Sequence, residues 1–95
     1  MQLPDTLSEE LRETLNRRWV SLEAERARIE RAAAAIQDEI EAFIKAHPEA
    51  DEKGLAPEEA RAFGELRRRQ QALSERLDTY LDERTAFRKE IAAHQ

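Results

Sequence analysis

Acid–base chemistry near neutral pH would fall to His47 and His94, the two histidines of the chain. None of the serines, Ser8, Ser21 and Ser74, has a histidine at a plausible partner position, and there is no cysteine to supply a thiolate. Carboxylates recur throughout, as on any charged helix, so their pairing is no catalytic signal. Neither GxGxxG nor a P-loop occurs, which removes phosphate-cradling loops. The reading is a non-enzyme with no cofactor and no resident metal. His47, Glu49, Asp51 and Glu52 stand close enough in sequence to offer ligands to a hard cation, but their spacing matches no EF-hand loop. A solvated acidic loop accounts for the same residues.

Two charge clusters suggest binding chemistry instead. Residues 47–59 carry five acids, Glu49, Asp51, Glu52, Glu58 and Glu59, against one base, Lys53. The second cluster is the run Arg67, Arg68 and Arg69, flanked by Arg61 and Arg76. Arg26, Arg28 and Arg31 from the first half could join it as a belt facing phosphate. Three consecutive arginines on a helix point in three directions. Glu30, Asp38, Glu39 and Glu65 stand beside them, and aromatic residues for base stacking are missing from the region. The chain as a whole is −5, which argues against nucleic acid as a general partner. A salt-bridged, solvated face is the plainer account of the arginines.

What positions these groups is legible from the period of the apolar residues. Leu15, Leu22, Ile29, Ile36 and Phe43 recur every seven residues, and Trp19, Arg26, Ala33 and Ile40 each precede a member of that row by three. That is the a/d pattern of a heptad, with the second row at a. The other half repeats it, with Phe63, Gln70, Leu77, Arg84 and Ile91 at a and Leu66, Leu73, Tyr80, Phe87 and His94 at d. Gln70 and Arg84 read as buried polar register devices. Thr6-Leu7-Ser8-Glu9 reads as a capping box with Thr6 as the cap. Pro48 ends the first helix at His47, Gly54 can close a turn at positive φ, and Pro57 suits a first helical position. Two glycines in 95 residues leave too few turn formers for a sheet.

The expectation is one all-α domain over 1–95: a helix about 6–46, an acidic tip loop about 47–56 and a helix about 57–94. Together they form an antiparallel two-helix coiled-coil hairpin. If the tip is centred near residue 53, facing residue numbers add to about 106. This sets Phe43 against Phe63, Trp19 against Phe87, Ile40 against Leu66, Ile29 against Leu77 and Leu15 against Ile91. It lays Arg26 over Tyr80, pairs Glu25 with Arg76 and Arg18 with Glu83, and buries Trp19. His47 and His94 then fall at opposite ends and cannot share a site.

A single narrow seam is a marginal core for a chain this short. Val20, Ile44 and Leu81 lie off it, with Leu7 and many alanines, and they read as a second apolar face. The hairpin is therefore expected to dimerise through that face into a four-helix bundle, or to take another helical protein there. No apolar run approaches a membrane span, and the chain reads as soluble and cytoplasmic. The functional expectation is a protein–protein interaction module: a coiled-coil adaptor, assembly factor or small chaperone. One alternative is a nucleic-acid-associated accessory protein using the arginine belt. Another follows from the acidic end of a long rod, which resembles, in architecture alone, transcription factors that enter the RNA polymerase secondary channel. That resemblance implies a regulator inserting its tip into a partner.

Overall fold

The computed structural model describes residues 7–94, apart from the side chains of Asp51 and Glu52. Three helical segments follow in order: α1 (Glu9–Ala46), α2 (Ala50–Lys53) and α3 (Pro57–Ala92). Helices α1 and α3 lie against each other as a hairpin measuring 65 × 16 × 16 Å.

Helix α1 starts three residues later than the sequence suggests. Ser8, with extended backbone, is the cap: its hydroxyl accepts from the Leu11 amide at 3.2 Å. Thr6 lies outside the described residues. Both residues are good cap types, and the local hydrogen bond selects Ser8. Leu7, counted above as off the seam, packs on the core beside Leu11. At the other end α1 stops at Ala46, because Pro48 disfavours helical geometry at His47. The connection is not wholly a loop, since Ala50–Lys53 make one helical turn. Gly54 then turns the chain at φ 72°, the left-handed region a Cβ disfavours. Pro57 opens α3, where its missing N–H has no intrahelical role. Helix α3 ends at Ala92, so His94 belongs to a closing turn.

The d rows form the core. Leu15, Leu22, Ile29 and Ile36 are buried on α1, and Tyr80 and Phe87 on α3, joined by Ile91 from an a position. The a rows are shallower. Trp19 is half-buried, not enclosed, and stacks on Phe87 with centroids 6.1 Å apart. Ala33 and Gln70 are exposed and Arg84 is half-buried. No polar side chain is buried among the described residues, so Gln70 and Arg84 do not act as buried register devices. The best-packed cluster lies away from the turn, with Leu15, Leu22, Phe87 and Ile91 at its heart. Towards the tip, Ile40, Phe43, Phe63 and Leu66 are only half-buried.

The expected register holds at its aromatic landmarks: Phe43 meets Phe63 at 5.2 Å and Trp19 meets Phe87. Phe87 has no exposed surface. Phe87→Ala should therefore cost about 3–5 kcal/mol in urea unfolding, the range for emptying an aromatic core site. Half-buried Trp19→Ala should cost less than Phe87→Ala in the same assay.

Candidate functional site

The heptad letters give the hairpin two unlike sides. In an antiparallel pair the g rows of both helices meet along one side and the e rows along the other. The g side is closed by charge. Glu25 takes a forked interaction from Arg76, with Nε to Oε2 at 3.1 Å. Arg69 reaches Glu39 at 2.7 Å, and Arg18 bonds Glu90. The Arg18 partner is one heptad from the expected Glu83, because Arg18 also lays its guanidinium over Phe87, 5.1 Å from the ring centre. Nothing in the a/d pattern singles out this lid over the core; an arginine at g beside an aromatic seam is the only signal.

These bonds leave an electrostatic mark. The Arg76 hydrogen bond, helped by Arg28, holds Glu25 below the usual carboxylate range against the opposing effect of partial burial. Arg69 does the same for Glu39. Helix α1 adds its own pair at a and e: Arg26 bonds Glu30 at 3.0 Å, which raises the Arg26 pKa. The expected Arg26–Tyr80 stack gives way to this charge-assisted bond along the helix. Arg67 instead stands over Phe63, at 5.9 Å.

The e side is open. Leu81 at e is 42% exposed, Leu77 at a is 39% exposed, and Ile44 at e is 58% exposed. Val20, at b, lies further round α1 and is also exposed. Leu77 was assigned to the seam opposite Ile29; it lines a groove with Ile29 instead and belongs to the open side. That groove, about 250 Å³, runs between Arg26, Glu30, Tyr80, Leu81 and Arg84 at mid-rod. A second recess of about 340 Å³ lies near the turn, between Phe43, Ile44, Leu55 and Phe63.

The acidic tip is partly structural. Glu59 accepts from the Ala56 amide at 3.0 Å with one carboxylate oxygen and meets His47 Nε2 with the other, at 2.5 Å. The opposite ring nitrogen, Nδ1, faces the Phe43 carbonyl at 2.8 Å, so His47 and Glu59 clasp the end of α1 to the start of α3. Glu49 bonds Lys53 at 2.6 Å. Glu58 sits in the first turn of α3, while Asp51 and Glu52 lie outside the described side chains. Among the described residues no three His, Asp or Glu side chains gather as metal ligands.

Four of the six belt arginines are paired with neighbouring glutamates. Arg68 bonds Glu65 at 2.8 Å, Arg69 bonds Glu39, Arg26 bonds Glu30 and Arg28 bonds Glu25 at 3.3 Å. Arg31 is exposed on α1. No helix among the described residues is long and apolar enough to cross a membrane. Comparison of the chain with family models, curated proteins and solved structures finds no match.

Two measurements follow. A carboxylate held below its ordinary value near 4.5 adds stability that is complete above that pH and is lost as pH falls through the lowered value. The thermal midpoint should drop in that acid range, and Glu25→Gln/Glu39→Gln should flatten this part of the profile. Glu59→Ala should speed amide hydrogen exchange across residues 47–60 while the amides near Phe87 keep their protection.

Proposed function

We propose that this chain is a non-enzymatic protein–protein interaction module: an antiparallel coiled-coil hairpin that docks a helical partner on its open e side, first of all a second copy of itself. The observation that carries this reading is the asymmetry between the two flanks. Charge pairs cross the seam on the g side, while the e side presents Leu77 and Leu81 at a mid-rod groove and Ile44 beside the recess near the turn. Apolar side chains in such a row find a stable place against another helix, and pairing two hairpins makes a four-helix bundle.

A helical partner on the e side supplies the second apolar layer that a single seam lacks. The module then works as an adaptor or assembly factor, with a rigid rod as its spacer. The glutamates paired with Arg26, Arg28, Arg68 and Arg69, and the turn clasped by Glu59, favour this over the belt and tip readings.

Sedimentation equilibrium tests the proposal. The wild-type chain should sediment as a dimer, with a melting midpoint that rises with concentration. Leu81→Glu should raise the dissociation constant at least tenfold, since it places a charge in an apolar contact. A monomer whose melting ignores concentration, and which Leu81→Glu leaves unchanged, would overturn it.

A further inference from the structure

The open side is built to meet its own copy in one orientation. Residues 27 and 28 mark the middle of α1 (Glu9–Ala46). The register that stacks Trp19 on Phe87 and sets Phe43 by Phe63 places residues 78 and 79 of α3 opposite that level. Two residue pairs straddle it. Arg26 and Glu30 stand on either side of the midpoint of α1, and Leu77 and Leu81 on either side of the facing level of α3. All four line the same groove.

Such spacing is self-complementary under one operation. A two-fold axis crossing the rod at its middle, in the plane of the contact, lays α1 on the other copy's α1 and α3 on its α3, each antiparallel. Positions equally far either side of the axis then meet. Arg26 of one copy falls by Glu30 of the other, and Leu77 by Leu81, each twice. We infer that the second copy docks in this antiparallel way, tips pointing to opposite ends; the inference rests on the function proposed above.

Two further observations favour a second copy in this orientation. The chain exposes 7280 Å², whereas a compact monomer of 11.0 kDa exposes about 5,600 Å². The excess of roughly 1,700 Å² per chain is surface that the rod shape leaves exposed and that a second copy could cover. Charge supplies the orientation. Residues 47–59 carry five acids and one base, so tips at the same end would bring two anionic segments together. Tips at opposite ends hold them apart by the length of the 65 Å rod.

A mixing experiment tests this. Arg26→Glu makes both positions acidic, and Glu30→Arg makes both basic. Each variant alone should dimerise about tenfold more weakly, because two attractive pairs become two repulsive ones. Each also loses the bond within its own helix, and mixing cannot repair that. Mixing the two in equal amounts should restore near wild-type association as a heterodimer, since acidic positions then face basic ones across the axis. Circular dichroism of each variant checks that its helices persist.

Spin labels on Glu49→Cys, in a chain with no other cysteine, supply a second readout: tip-to-tip distances should be comparable with the rod length. A wild-type dimer whose two charge variants show no recovery on mixing, or whose labelled Glu49→Cys tips come together, would overturn the antiparallel docking and leave the proposed function standing. A wild-type monomer would overturn this inference together with the self-association proposed above.

Discussion

One row of apolar side chains on each long helix holds this molecule together. The d positions of α1 bury Leu15, Leu22, Ile29 and Ile36, and those of α3 bury Tyr80 and Phe87. Only one row per helix can face the partner squarely, so the rows beside it are left at the rim. What those rim rows contain decides the character of each flank. Arginine and glutamate at g close one side with hydrogen-bonded charge. On the other side Leu77, Leu81 and Ile44 stand exposed among charged neighbours such as Arg26, Glu30 and Arg84. The fold and the unlike character of its two flanks are thus consequences of the same period.

Surface ion pairs of the g type contribute little stability each, on the order of 0–1 kcal/mol. Their larger effect here is directional. Arg76, Arg69 and Arg18 are drawn across the seam and hold their long side chains over its g flank. A partner approaching that side would have to displace charge-assisted bonds and desolvate the groups that made them. Beside Leu77 and Leu81 the charge-assisted bond, Arg26 to Glu30, runs along α1 and does not cross the seam. The two flanks therefore differ in what an approaching helix would have to displace.

Much of this was legible in the residues themselves. A seven-residue period names the d rows without reference to structure, and Pro48, Gly54 and Pro57 locate the turn because each restricts φ or a donor in a way few residues do. Depth of burial was not legible: Trp19 and Leu77 carry the right letters, yet the seam centres on d and leaves a at the edge. Long cationic side chains were also hard to assign. Arg18 can reach either Glu83 or Glu90 across a heptad, and the ring of Phe87 decides between them. Arg26 had an acid four residues on, and that local partner outcompeted the tyrosine across the seam. For Glu59, the period says only that it stands near the start of a helix; its double role appears once His47 and the Ala56 amide are brought to it.

The placement of the best-packed cluster far from the turn has a consequence for how the chain reaches this shape. Bringing Phe43 to Phe63 closes a short loop, while bringing Leu15 to Ile91 closes nearly the whole chain. The entropic difference between those closures is about 1 kcal/mol. Early zipping from the turn shortens the effective loop for each later contact, but the contacts it meets first are the half-buried ones. On that route the best-packed contacts come last, when the ends of the rod meet. Once they do, opening at the turn leaves the main cluster intact. The hairpin is thus latched by buried side chains toward its free ends, while its bend is held by the clasp of His47 and Glu59.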